Sequence, residues 1–388
     1  MHSSASPTKS CLWILVSSLL LLPGTCLAAQ TSAGWQGGAQ RTAMPASLYD
    51  PTRPEVQPRL DVDRDPVPSP DPEVVQPPVA SSPSATTAPT TGELAKRQDG
   101  TYVLRADVDE VLLNCTVIDE KGRTVNDLHQ DNFRVWEDGV EQKISSVQHQ
   151  DLPISMGILV DDSGSMRDKR AAVNMAAMDL LRRSNPRDAV FIVNFSEKAY
   201  LDQGFTSDLV ALDRGLSRVD PKGTTALYDA VAASADELAK HAKERKQALL
   251  IITDGADNAS ELTLEQTIRR VQDLGGPVVY TIGLLYDTGK AESDQAKNAL
   301  ERLSQETGGV AYFPSSAADL DAIAEQVAYD IRNQYIVAYH SSRPASLGGY
   351  RAVHVEAYAH GHGRLSVRTR RGYFAKPQQP AQTAQAKP

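Results

Sequence analysis

Between residues 154 and 332, short apolar runs alternate with amphipathic stretches, and this alternation restricts the fold more than any other feature of the chain. Residues 155–160, 189–195, 248–253, 278–283 and 310–313 carry few polar side chains and read as buried strands. Residues 168–183, 226–240, 264–274, 296–307 and 317–332 carry apolar residues at helical spacing. In the first of these helices, Ala171, Ala172, Met175, Met178 and Leu181 mark the expected inner face. Strands that are apolar on both faces need cover on both, and helices between them leave neighbouring strands parallel. The expected fold class is therefore α/β, with a doubly wound, mainly parallel sheet. Ligands in such folds sit beyond the carboxyl ends of the strands.

The flanks of this region read differently. Residues 107–119, 132–137 and 140–147 alternate like strands, with Asp138-Gly139 as a hairpin turn. After the α/β region, 335–339, 352–358 and 365–369 are again strand-like, separated by Gly348-Gly349 and Gly361-His362-Gly363. Neither flank is large enough to hold a core alone. They are expected to pack together as one small β module, 99–153 with 335–375, into which the α/β domain of 154–334 is inserted. No internal repeat is evident.

The ends of the chain carry different signals. Lys9 precedes an apolar run over 11–22, then Pro23-Gly24 and small residues at Ala28 and Ala29, which reads as a secretory signal over residues 1–29. The run is shorter than the roughly 20 residues a bilayer span requires. An uncleaved anchor is the competing reading, whereas lipid attachment at Cys26 fits its preceding residues poorly. Residues 30–98 are rich in Pro, Ser, Thr and Ala, a composition expected of an extended disordered linker, and 376–388 make a similar tail. Signal cleavage would leave Cys115 as the one thiol, so no internal disulfide is expected despite an oxidising destination. Its alternating apolar neighbours mark Cys115 as a small buried hydrophobe. The net charge of −9 argues against nucleic acid or anionic lipid as partner. The expected location is secreted, periplasmic or otherwise in the cell envelope, with no membrane span after cleavage. Nothing in the sequence fixes an oligomeric state.

The chemistry concentrates where the first apolar strand ends. Asp161-Asp162-Ser163-Gly164-Ser165 follows it at once, and a loop leaving a strand can turn Asp161, Ser163 and Ser165 toward one point. All three offer hard oxygen donors of the kind Mg²⁺ takes. Asp254, in Thr253-Asp254-Gly255, ends the third strand at the same edge. Gly223-Thr224-Thr225 leads into a helix and brings a hydroxyl near it.

This set resembles the metal-ion-dependent adhesion site of von Willebrand factor type A domains, in motif, chain order and interval, over roughly residues 154–332. The segments around 131–139, 332–335 and 371–373 resemble an acidobacterial subfamily of these domains. The resemblance implies that Ser163 and Ser165 ligate a divalent cation directly, that Asp161 and Asp254 do so directly or through water, and that Thr225 joins in one of two states. The family often has Gly-Gly-Thr where this chain has Gly223-Thr224-Thr225, which leaves Thr224 as the alternative to Thr225. Asp162 falls at a variable position and is expected to point away; Asp257 is expected to be a solvated loop acid. Mg²⁺ is the expected ion, with Mn²⁺ or Ca²⁺ as substitutes. The partner implied is a protein that presents a Glu or Asp side chain to the ion. The expectation is therefore binding without catalysis. A hydrolase would need Gly-x-Ser-x-Gly around its nucleophile, and Asp161 stands where the first Gly belongs. A metal-dependent phosphatase would need a basic clamp on phosphate beside the paired acids. A remaining alternative is an envelope scaffold in which the metal only fastens loops.

Overall fold

The structure, a computed structural model, describes residues 57–62, 94–96, 102–104, 110–149, 151–218, 220–273 and 276–375. All of them belong to one compact unit, Glu55–Pro388. The expected signal segment, most of the linker and the tail from 376 lie outside the described residues.

The chain opens with β1 (Leu60–Asp61), β2 (Leu94–Lys96), β3 (Tyr102–Leu104), β4 (Glu110–Ile118), β5 (Phe133–Glu137), β6 (Val140–Gln142) and β7 (Ile144–Gln148). The α/β part then runs β8 (Ile154–Asp161), α1 (Arg170–Arg183), β9 (Ala189–Phe195), β10 (Ala199–Thr206), α2 (Leu209–Leu216), α3 (Leu227–His241), β11 (Lys246–Thr253), α4 (Leu264–Asp273), β12 (Val278–Gly283), α5 (Lys290–Thr307), β13 (Ala311–Tyr312) and α6 (Leu320–Arg332). It closes on β14 (Tyr335–His340), β15 (Tyr350–Ala357), β16 (Ser366–Arg368) and β17 (Gly372–Phe374).

The large sheet has the order β1-β10-β9-β8-β11-β12-β13. Every pairing is parallel except β10 with β9. The doubly wound, mainly parallel sheet read from the sequence is therefore present. Successive residues of the central strands feed opposite faces, as a strand requires. Met156, Ile158 and Val160 enter one apolar core with α1, α2 and α6. Leu159, with Leu249 and Ile251 of β11, enters the other with α3, α4 and α5. The strand order reverses direction between β8 and β11, and the ends of these two strands make the crevice where such sheets bind ligands.

The β module forms from both flanks. β4 pairs with β14 and β16, while β5 pairs with β15, all antiparallel. Its two four-stranded sheets, β16-β4-β14-β7 and β17-β15-β5-β6, close over Leu113, Cys115, Phe133, Val135, Tyr335, Val337 and Tyr339. Cys115 is fully enclosed there, and burial pushes its thiol up to about 12, as the small-hydrophobe reading requires. At the hairpin, Asp138 and Gly139 take φ of 49° and 82°, the left-handed pair that suits a two-residue turn.

Several expectations are corrected. Residues 140–147 do not fold back as one strand. β6 pairs with β5, and β7 crosses to the other sheet beside β14. Gln142 is buried between them and accepts the Ser342 N–H at 2.8 Å, which pins the crossing. The inner face of α1 includes the expected Met178 and Leu181, with Ala172 packed beside them, but also Val173, Ala176, Ala177 and Leu180; Met175 is 64% exposed and Ala171 points to solvent. Its run of small residues supports more than one stripe, and packing on the sheet selects among them. Part of the expected linker is ordered. Leu60–Asp61 adds to the sheet edge because Leu60 packs on the second core and Asp61 faces Lys198 at 3.6 Å. Strands β2 and β3 pair as a hairpin over the linker's end. Helix α5 begins at Lys290, earlier than its apolar stripe indicated. Strand β10, helix α2 and strand β17 had no counterpart in the sequence reading.

Candidate metal centre

The site grows from the end of β8. Asp161 closes that strand and is fully buried. Its Oδ1 accepts the Ser163 N–H at 2.8 Å, which turns the chain sharply out of the sheet. Its Oδ2 accepts the Thr253 hydroxyl at 2.5 Å, tying β8 to β11 across the crevice. Burial pushes the Asp161 carboxyl up to about 6, against the hydrogen bonds from Thr253 and Ser163, with the nearby charge of Asp254 adding to the rise. A carboxylate this deep is costly without a cation or further donors to balance it.

The next turn is held by Met166, which is buried completely below a short 3₁₀ segment, Gly164–Met166. It leaves the two hydroxyls side by side. Ser163 Oγ lies 3.2 Å from Ser165 Oγ, and Ser165 Oγ donates to Asp254 Oδ1 at 2.8 Å. Asp254 comes from the end of β11 and is itself buried. Three oxygens from two strands thus form one continuous run.

Thr225 arrives from the other side. Gly223, at φ of 77°, turns the loop that leads into α3. Thr225 is buried, and its backbone N–H donates to Asn258 Oδ1 at 2.8 Å while its carbonyl accepts the Asn258 N–H at 3.0 Å. Thr224 is exposed. Ser163, Ser165, Thr224, Thr225 and Asp254 all line one cavity of about 710 Å³; Asp161 does not line it but is buried and bonded to the Ser163 N–H and the Thr253 hydroxyl.

Asp162 points away from this cavity, as expected, but has a structural role. Its side chain accepts the Asp220 N–H at 2.9 Å and lies 3.8 Å from Arg170. It thereby anchors the loop that delivers Thr225. Asp257 is not a merely solvated acid. It accepts the Tyr228 N–H at 3.0 Å and the Ser260 hydroxyl at 2.5 Å, so it caps the start of α3.

Sequence reasoning missed Lys169. Its ammonium reaches Asp254 Oδ2 at 2.8 Å and is nearly enclosed. Thr253 and Asn258 were missed as well. Thr253 lay inside the quoted Thr-Asp-Gly motif, but a hydroxyl's direction depends on strand register.

Residues 156–256 match the family model described as von Willebrand factor type A domain. The chain carries a von Willebrand factor type A domain. The match runs from within β8 to just past Asp254, so it spans both strand ends and all the oxygen donors above. Among solved structures, the chain is similar to a von Willebrand factor type A protein from Catenulispora acidiphila, at 14% identity over 68% of this chain and 73% of that one, with a TM-score of 0.41. It is also similar to the vWF domain of a type V pili tip protein from Porphyromonas gingivalis, at 14% identity over 46% of this chain and 96% of that one, with a TM-score of 0.37. A third similar structure is proximal thread matrix protein 1 from the mussel byssus, solved with a zinc-occupied MIDAS motif. It is 18% identical over 49% of this chain and 48% of that one, with a TM-score of 0.38. No curated protein sequence matched.

The donor set of the domain fits a hard divalent ion. Its oxygens are two carboxylates and three hydroxyls, and no cluster of three or more His, Cys, Asp or Glu side chains suited to a metal occurs among the described residues. The His360-Gly361-His362 turn is a solvated loop: His360 is exposed and His362 faces Asp127 at 3.2 Å.

Proposed function

We propose that this chain is an exported protein-binding module that holds a partner through a divalent cation. Asp161, Ser163, Ser165, Thr225 and Asp254 would hold the ion, with Mg²⁺ first and Mn²⁺ or Ca²⁺ as substitutes. The observation that carries this reading is the convergence of Ser163, Ser165, Thr225 and Asp254 on one cavity at the reversal of strand order, with buried Asp161 bonded to the Ser163 backbone. Two carboxylates balance a divalent ion, and hydroxyls add no charge, so the ion would remain able to take a carboxylate oxygen from outside. The protein's own part is rigidity. Met166 packs the first loop down, Asp162 ties back the second, and Asn258 clamps Thr225.

The expected partner is a protein surface that presents Glu or Asp. Binding is expected without chemistry, since the site's serine hydroxyls are engaged with each other and with Asp254 rather than with a histidine base. Export rests on residues 1–29. Among the described residues, no helix is long and apolar enough to cross a membrane.

The test uses the chain from residue 30, immobilised and exposed to envelope and secreted proteins of its source cells. A specific protein should be retained in Mg²⁺, released by EDTA, and not captured by Asp254→Ala. Retention of the same proteins in Mg²⁺, in EDTA and by the variant would contradict the reading.

A further inference from the structure

The adhesion-type site contains a cation of its own. Lys169 stands just before α1, and its side chain is 11% exposed. The ammonium lies 2.8 Å from Asp254 Oδ2 and 3.8 Å from Asp287 Oδ2, and 5.2 Å from the centre of the Tyr286 ring. Asp254 Oδ1 is meanwhile taken by the Ser165 hydroxyl. Both oxygens of one proposed ligand are therefore engaged within the chain, one of them by a full positive charge.

We propose that Lys169 is a tethered counter-ion that competes with the divalent cation for Asp254, and that Asp287 receives its ammonium when the cation is bound. This rests on the reading of the cavity as a metal site. A divalent ion seated on Asp254 would face a unit positive charge a few ångströms away, in a setting shielded from water, where like charges repel strongly. The lysine's long unbranched stem lets its charge swing without moving the helix. An ammonium this enclosed needs a partner wherever it goes. Asp287 supplies one on the near side, 67% exposed, so its own carboxylate meets no new burial when it accepts.

The segment that carries Asp287 is also fastened to the ligand. Leu285–Asp287 form a 3₁₀ turn after β12, and the Thr288 hydroxyl donates to the Asp254 carbonyl at 3.1 Å. Metal loading and the placement of this rim loop are thereby linked, and by reciprocity whatever holds Lys169 on Asp287 favours the ion. A partner carboxylate reaching the cavity beside Asp287 would compete for the same ammonium. Lys169 thus sets the ion concentration at which the site becomes available.

The experiment is calorimetric titration with Mg²⁺ of the chain from residue 30, beside Lys169→Met, Lys169→Arg and Asp287→Asn. Lys169→Met should bind on the order of tenfold more tightly than the parent, the shift given by about one partly buried ion pair. Lys169→Arg keeps the charge and should stay within about threefold of the parent, while Asp287→Asn should weaken binding by a similar factor. In thermal melts, Lys169→Met should lose stability in EDTA and gain more from Mg²⁺ than the parent does. Binding by Lys169→Met no tighter than by the parent would overturn the competition, as would equal tightening by Arg, which would point to packing in place of charge. Binding by Lys169→Met alone, with none by the parent, would support it in its strongest form. No Mg²⁺ binding by either chain would instead remove the metal-site reading, and the competition with it.

Discussion

Asp161→Ala is expected to lose saturable Mg²⁺ binding, by at least about a hundredfold, while the chain still unfolds cooperatively. Asp161 supports the site in two ways. It would contribute one of only two carboxylates among the five proposed oxygen donors, and it shapes the loop by accepting the Ser163 N–H. Its removal would leave that N–H and the Thr253 hydroxyl without their acceptor, at a cost of about 1–3 kcal/mol. The loss of a buried carboxyl whose ionisation is already resisted offsets part of this. Calorimetry against the parent measures the first effect and urea denaturation the second. Unchanged Mg²⁺ affinity in Asp161→Ala would remove this residue from the site.

A second large effect is expected far from the cavity. Arg351 and Glu137 lie inside the β module with side chains 1% and 2% exposed. The guanidinium Nη1 lies 3.3 Å from Glu137 Oε1 and donates to the Ser341 hydroxyl and the Arg343 carbonyl, both at 2.7 Å. Nη2 donates to the Pro344 carbonyl at 2.7 Å. Glu137 also accepts the hydroxyls of Tyr339 at 2.8 Å and Tyr373 at 2.9 Å. This network joins β5, β14, β15 and β17, so it clasps strands from both sides of the inserted domain. Arg351→Ala would leave a buried carboxylate without its cation and take one donor each from the Arg343 and Pro344 carbonyls. A loss of about 3–5 kcal/mol is expected in urea denaturation. The paired change Glu137→Leu with Arg351→Met should cost less than Arg351→Ala alone, because it leaves no isolated charge. A loss below about 1 kcal/mol for Arg351→Ala would mean that the network contributes little.

The parallel sheet was legible because its strands are apolar on both faces, a pattern few other arrangements tolerate. Antiparallel strand β10 and helix α2 were not read, although Asp208 stands as a helix cap ahead of Leu209, Leu212 and Leu216 and accepts the Val210 N–H at 2.9 Å. Helix α1 was placed correctly and Ala172, Met178 and Leu181 do face inward, but Ala171 and Met175 do not. Ala, Met and Leu repeat along it so densely that several stripes satisfy the helical period, and Met175 fell on the solvent side. At the site, the oxygen donors were legible because spacing along a loop and position at a strand end restrict them. Lys169 was not, because a lysine before a helix is ordinarily a solvated charge. Only the folded loop shows that its stem runs back toward Asp254. The same holds for Asp257, whose capping of α3 depends on a contact between segments far apart in the chain.

The central claim is that the serine pair and its carboxylates hold a divalent ion at the end of β8 and β11. Calorimetric titration of Mg²⁺ into the chain from residue 30, beside Ser163→Ala with Ser165→Ala, tests it most directly. Neither serine hydroxyl is buried in an apolar core, and the loop remains anchored by Met166 and Asp161, so the double variant should fold. Saturable binding by the parent that disappears in the double variant is the expected result. Equal binding by both would contradict the claim.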